Sequence, residues 1–176
     1  MGKGSTQHQH LVQTEVPPKV LEEWLQIWAQ HNNLAPDFRA QLRPLAAGSD
    51  FLELSILSGK NRVANLLFAD MQDRHGHKLL SIRDMNTYDL SLQKKRLMTL
   101  AHLFLLYRYK TGLVHYLSPT DDNQHQSQKM KRLGLFSKVD TEGQMIIVAT
   151  VNNERITELL NPDRMMLKKL IMKQDS

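Results

Sequence analysis

The first strong period along the chain is helical. In "VPPKVLEEWLQIWAQHNN", Val20, Trp24, Ile27 and Trp28 recur at spacings of three and four and fall on one face. The prolines ahead of them suit a helix start. The pattern then changes. "FRAQLRPLA", "DFLELSIL", "RVANLLFADM" and "HKLLSIRDM" are strand-like runs. They are separated by "AAGSD", "LSGKN" and "DRHGH", each with a glycine and polar residues at hairpin length. These predict an antiparallel meander. Residues 91–112, "SLQKKRLMTLAHLFLLYRYKTG", predict one long helix, with Thr87, Asp89 or Ser91 as its N-cap and Gly112 closing it. "LVHYLS" reads as a short strand, and "SPTDDNQHQSQKMKRLGLF" as a loop entering a helix that closes near Gly134. "GQMIIVATV" predicts another strand, and "ITELLN" and "PDRMMLKKLIMK" predict short helices. There is no internal repeat.

A strand–helix–strand passage from "HKLLSIRDM" to "LVHYLS" predicts parallel neighbours within an otherwise antiparallel sheet. The fold class expected is therefore α+β: a mostly antiparallel sheet with one parallel junction, packed by helices. Such a sheet splays where the pairing changes, and the splay opens a cleft at the start of the 91–112 helix. Residues 1–15 are polar and Gln/His-rich and read as a tail or interdomain linker, and residues 16–173 as one domain.

Composition narrows the functions. The 176 residues carry 41% hydrophobic side chains, enough for a real core, and a net charge of +5, which permits an anionic partner. There is no cysteine, which removes disulfides, thiolate catalysis and cysteine zinc sites together. No apolar run is long enough to span a bilayer, and "MGKGSTQHQH" lacks the apolar core of a secretory signal. The expected home is the cytoplasm, with no membrane partner.

Lys94, Lys95 and Arg96 crowd the start of the 91–112 helix. That pole already carries partial positive charge, so each cation costs a few tenths of a kcal/mol there. Two readings stand side by side: a solvated basic turn, or an anion site in which free amides and flanking cations hold a phosphate. Leu97, Ala101, Phe104 and Leu105 form the helix's apolar stripe, and His102 within it reads as a core histidine.

The element order, β-meander, long helix, strand, short helix, strand, resembles the GNAT acyltransferases. In that family a Q/R-x-x-G-x-G/A loop opens the long helix and cradles the pyrophosphate of coenzyme A. Gln93-Lys94-Lys95-Arg96-Leu97-Met98 stands at that place, with Arg96 and Met98 where the family has small residues. A second family motif, Asn followed eleven residues later by Gly and an apolar residue, is matched by Asn123 and Gly134-Leu135. The tyrosine that the family commonly carries seven residues after that Asn, as acid toward the departing thiolate, is Met130 here. A thioether donates no proton, and losing a general acid forfeits about 10²–10⁴ in rate.

A closer resemblance runs through "KVLEEWL", "QKKRLMTL", "VHYLSPTDDN", "IIVATVN" and "RITELLNPDR". These look like the C-terminal, GNAT-like regulatory domain of long-form isocitrate lyases, of the mycobacterial second-isoform type. The resemblance implies a domain that binds acetyl-CoA or propionyl-CoA as an allosteric ligand, activates a lyase catalytic domain in cis or in trans, and self-associates as a dimer. On this reading Ile82, Arg83 and Asp84 at a strand end face the pantetheine amides, Gln93 to Met98 face the pyrophosphate, Asn123 lines the pantetheine side, and no residue is catalytic. Isocitrate lyases use a cysteine loop and a barrel-borne Mg²⁺ site. This chain has no cysteine and falls short of the roughly 250 residues of such a barrel, so it is not expected to cleave isocitrate itself. The alternatives are an active N-acetyltransferase that uses Tyr88 or Tyr116 as acid, and a degenerate fold used only for dimerisation.

The remaining constellations favour bland readings. His8 and His10, at i,i+2 with no third ligand, suggest a tail rather than a metal site. His75 and His77 flank Gly76 in a hairpin, Asp121 and Asp122 suit helix capping, and Trp24 and Trp28 suit the core. Lys129, Lys131 and Arg132 form a wet basic face or a contact for a 3′-phosphate. No aromatic–basic platform for nucleic acid is present. Met166, Leu167, Leu170 and Ile171 form a C-terminal apolar stripe that covers the core or pairs with a partner.

Overall fold

The computed structural model describes residues 18–143, 145–161 and 164–172. The expected tail at 1–15, with His8 and His10, lies outside them. Helix α1 (Lys19–His31) leads into the meander β1 (Phe38–Pro44), β2 (Phe51–Ser58), β3 (Asn61–Gln72) and β4 (Lys78–Thr87). A short 3-10 turn (Leu90–Leu92) precedes α2 (Leu97–Tyr109), β5 (Leu113–Leu117) and α3 (Asp121–Arg132). The chain continues through β6 (Phe136–Glu142), β7 (Ile146–Val151), α4 (Asn153–Leu159) and α5 (Met165–Met172).

The seven strands form one sheet in the order β1-β2-β3-β4-β5-β7-β6. The expected parallel junction is there: β4 and β5 run parallel, and the other pairings are antiparallel. The element order expected from the sequence, a meander, a long helix, a strand, a short helix and a strand, is the one observed. One strand carries no signal in the sequence. The pattern predicts no element at 137–142, where β6 runs, because only Phe136 of its seven residues is buried and a register shift between Phe136 and Lys138 breaks its alternation. Backbone pairing with β7, not an apolar period, makes it a strand.

Helix α2 is the centre of the core. The sequence predicts one apolar stripe on it, but burial extends all round, from Leu97 and Leu100 to Leu103, Leu106 and Tyr109. A helix apolar on every side must be enclosed. Trp24 packs edge-on to Phe104 at 6.2 Å and Trp28 edge-on to Phe38 at 5.2 Å, so both tryptophans are core residues. Leu167, Leu170 and Ile171 of α5 are buried in the same cluster, with Met166 partly buried against it.

The boundaries of the long helix differ from the expected 91–112. Asp89 caps the 3-10 turn, accepting from the Ser91 amide at 3.0 Å. The chain then turns through Lys94 (φ 62°) and Arg96 (φ 66°), both left-handed, before α2 begins. Two left-handed residues cannot lie inside a right-handed helix. The far end closes at Lys110 (φ 50°), not at Gly112.

Helix α3 shows how its caps are written locally. The Thr120 hydroxyl accepts from the Asn123 amide at 3.2 Å, and the Asn123 side chain accepts from the Thr120 amide at 2.9 Å, a reciprocal capping box. Asp121 and Asp122 fill the first turn, where the helix dipole favours acids. Gly134 (φ 80°) ends the helix, with its amide bonded to Lys131 and that of Leu135 to Met130. Thr120→Ala will cost about 1 kcal/mol, measured as a lower urea midpoint with unchanged slope.

Candidate functional site

The sheet opens at one point. β4 and β5 pair only from Leu79↔Leu113 to Ile82↔Tyr116. The next β4 residue, Arg83, has no counterpart on β3, because Phe68 faces Ile82 while Leu67 already faces Asp84. An extra residue bends a strand and increases its twist. From there β4 runs on to Thr87 along β3 without β5 beside it.

A cleft of about 510 Å³ lies beside this unpaired end. One wall is the end of β4 and the residue after it: Met85, Asn86, Thr87 and Tyr88. The floor is the turn into α2, with Gln93, Lys94, Arg96, Leu97 and Met98. The opposite wall is one face of α3, formed by Asp122, His125, Gln126 and Lys129.

The turn is what makes the floor suited to an anion. No side chain caps α2 at Arg96, and the first helical bond inside it is from the Leu100 amide to the Arg96 carbonyl at 3.0 Å. The amides at the start of a helix have no intrahelical acceptor and carry the positive end of its dipole. Left-handed Arg96 followed by right-handed Leu97 is the alternation that gathers successive amides into an anion-binding concavity. Lys94 and Lys129 bring cationic side chains to the same cleft from the floor and from the α3 wall.

The turn is braced from behind. The Trp28 indole donates to the Lys95 carbonyl at 2.6 Å, and the Arg96 guanidinium donates to the Leu170 carbonyl of α5 at 2.6 Å. Arg96 is buried. It stands where the resembled family has a glycine, yet its backbone holds the left-handed conformation that glycine adopts at no steric cost. Its side chain is turned inward to α5, so a Cβ at this position does not by itself destroy the cradle.

The β4 wall is held by a polar network. Asn86 and Tyr88 both donate to the Asn65 side-chain oxygen at 3.1 Å, and Asn65 donates to Glu53 at 3.0 Å. Glu53 also accepts from Arg62 at 2.8 Å and from Arg43 at 3.3 Å. Burial pushes the Glu53 carboxyl up, but the hydrogen bonds from Asn65 and Arg43 and the nearby Arg62 charge outweigh it and hold the group below the usual glutamate range. Glu53 is thus a fixed anion that orients the network, poorly suited to take up a proton. On the other wall Gln126 donates to the Thr99 hydroxyl at 3.0 Å, tying α3 to α2.

Of the residues proposed from sequence, Gln93, Lys94, Arg96, Leu97 and Met98 line the cleft, and Ile82, Arg83, Asp84, Lys95 and Asn123 do not. Ile82 is buried in the last paired position. The Arg83 guanidinium lies over the Phe51 ring at 4.9 Å. The Asp84 carboxylate accepts from the Met85 amide and the Asn86 side chain. The Lys95 carbonyl faces Trp28, and the Asn123 side chain closes the capping box. Met130 is fully buried in the core, outside the cleft lining.

Apart from Tyr88, the residue pattern does not point to the β4 wall beyond Asp84, nor to most of the α3 wall. The α3 wall carries a signal all the same: 122, 125, 126 and 129 share one helical face, and Lys129 belongs to the basic cluster of that helix. Glu53, a lone carboxylate inside the apolar run "DFLELSIL", is the signal for the network. Among the described residues no group of three His, Asp or Glu is placed to hold a metal ion, and no helix is long and apolar enough to cross a membrane.

No protein-family model matches the chain. Over 175 residues, 99% of this chain, it is 55% identical to a relative from Mycobacterium tuberculosis strain H37Rv that is named as one subunit of an isocitrate lyase, and spans 44% of it. The same identity over the same share holds for "Isocitrate lyase 2" of M. tuberculosis strain Erdman and of Mycobacterium bovis, of which the chain spans 23%. Among solved structures, an aminoglycoside N(6')acetyltransferase from Legionella pneumophila gives a TM-score of 0.47 at 14% identity, covering 65% of this chain and 70% of the other. FdhC, a nucleotide-linked sugar GNAT, gives 0.47 at 10% identity, covering 86% and 92%. At these scores the likeness bears on neither substrate nor mechanism. The chain is therefore similar, over essentially its whole length, to one part of isocitrate lyase proteins that are more than twice as long.

Proposed function

We propose that this domain binds a short acyl-CoA, acetyl-CoA or propionyl-CoA, in the cleft between β4 and α3, and that occupancy regulates an isocitrate lyase catalytic domain without acyl transfer. The observation that carries the reading is the floor of the cleft. Uncapped amides at the start of α2, in a left-handed turn and flanked by Lys94 and Lys129, suit a diphosphate. The unpaired edge of β4 beside it suits an extended amide-bearing chain such as pantetheine. Gln93, Lys94, Leu97 and Met98 would hold the pyrophosphate. The role of Asn123 becomes an indirect one, in which it fixes the start of α3. A ligand that binds one domain arrangement better than another shifts the population toward it, which is all that activation requires. The similarity to parts of isocitrate lyases supports that enzyme as the partner.

The non-catalytic reading rests on the acids. Tyr116 is fully buried, and burial pushes its hydroxyl far above the ordinary tyrosine range. It is not part of the cleft lining. Tyr88 does line the cleft, with its hydroxyl engaged to Asn65, so of the two tyrosines it is the one an acetyltransferase could use.

Titration calorimetry with acetyl-CoA, propionyl-CoA and coenzyme A, beside a thiol-release assay over a panel of amines, tests the proposal. Saturable binding without thiol release is expected. Turnover would establish an N-acetyltransferase instead, and Tyr88→Phe would then abolish it. Absence of binding by all three would leave a fold used for association alone.

A further inference from the structure

Arg96 joins two parts of the molecule. Its backbone (φ 66°, ψ 19°) sets the direction in which α2 begins, and its carbonyl accepts the first helical bond. Its buried guanidinium reaches across the core to the Leu170 carbonyl, 74 residues further along the chain. Leu170 lies in the last turn of α5. A guanidinium on a carbonyl at this end of α5 matches the negative pole of the helix dipole. A left-handed residue with a Cβ is strained where glycine is not, so the geometry of the turn depends on what holds this side chain.

We propose that Arg96 is a positioning residue, not a phosphate ligand, and that through it occupancy of the cleft and seating of α5 on the core reinforce each other. The proposal rests on the acyl-CoA reading above and names the element that reports occupancy. An anion held by the amides of Leu97 and Met98 fixes the backbone at Arg96. The fixed backbone aims the guanidinium at α5. By reciprocity, a partner that favours seated α5 tightens ligand binding, and one that draws α5 away weakens it, by the same factor. The Trp28–Lys95 brace holds the turn from α1, which itself packs against α5, so the control is Trp28→Phe, which removes the indole donor and keeps an aromatic ring in the core.

The test is hydrogen exchange of the full chain, with and without coenzyme A, in the wild type, Arg96→Gly, Arg96→Lys and Trp28→Phe. Glycine accepts the left-handed backbone, so Arg96→Gly keeps the turn and loses the tether. Without ligand, its amides at 167–172 are expected to exchange about tenfold faster, the scale of one lost charged hydrogen bond, with α1 and β3 unchanged. Saturating coenzyme A is expected to slow exchange at α5 in the wild type about tenfold, and not in Arg96→Gly, whose affinity for it falls because the coupling works in both directions. Arg96→Lys, which keeps the charge without the planar fork, restores part of the protection. Trp28→Phe binds coenzyme A more weakly but keeps the ligand-dependent protection of α5. Unchanged α5 exchange in Arg96→Gly overturns the tether. Binding to the wild type that leaves α5 exchange as it was overturns the coupling while the acyl-CoA reading stands. Failure of the wild type to bind coenzyme A overturns both.

Discussion

Reversing Lys94 and Lys129 together, as Lys94→Glu/Lys129→Glu, will lower affinity for coenzyme A about 100-fold. Each lysine reaches the cleft from a different side. A hydrogen bond between a cation and a phosphate contributes about 1.5–3 kcal/mol, and each 1.4 kcal/mol is tenfold in the dissociation constant. Lys95→Glu is the matched control. It carries the same change of charge one residue from Lys94, but Lys95 is not part of the cleft lining and its carbonyl is turned to Trp28. Its effect will stay within about threefold, through screened long-range charge. Calorimetry at two salt concentrations separates these outcomes. Equal losses in both variants would mean that net charge, not the geometry of the turn, attracts the nucleotide, and the assignment of the cleft would be withdrawn.

The second large effect is on stability against pH. His102 is fully buried in α2, stacked on Tyr116 at 6.0 Å. One ring nitrogen, Nδ1, lies 2.8 Å from the Met98 carbonyl. A carbonyl only accepts, so the ring proton sits there, leaving Nε2 bare and buried without a hydrogen-bond partner among the described residues. Burial pulls the group down to about 4, against a smaller upward pull from the Met98 carbonyl. The folded value lies below the unfolded one of roughly 6.5. The unfolded chain therefore takes up a proton that the native state refuses. Stability from this group is fully present above the unfolded value and is lost as pH falls from about 6.5 toward about 4. The gap corresponds to about 3 kcal/mol. Urea melts across that window will show the loss in the wild type, and His102→Gln, which keeps a donor without a titrating ring, will remove most of it relative to its own value at pH 7.5. Parallel curves for the two proteins would show that His102 is not the acid-sensitive group.

Much of the fold is legible in the sequence because the signals are local. Apolar spacing sets α1, glycine-bearing turns set the meander, and Thr120, Asn123 and Gly134 write both ends of α3. The parallel junction follows from one strand–helix–strand passage. The strand β6 is not legible, because an edge strand with one buried residue has no apolar alternation to read. The site is half legible. Gln93, Lys94 and the start of α2 can be named from a basic stretch before an apolar helix. Asn123, Arg83 and Asp84 cannot be kept out of the lining, because their capping, stacking and side-chain contacts are invisible in a string of residue types.

The sequence by itself determined the element order, the site of the splay and the presence of cations beside a helix start, since each depends on neighbours within a few residues. Only the tertiary structure decided where those cations are placed. "QKKRLM" is compatible with a continuous helix. It becomes a left-handed turn because Trp28, 67 residues from its partner Lys95, and Leu170, 74 residues from Arg96, engage it from α1 and α5. Contacts at that separation form only when the core closes, so the placement of Arg96 belongs to the packed protein and not to its local sequence.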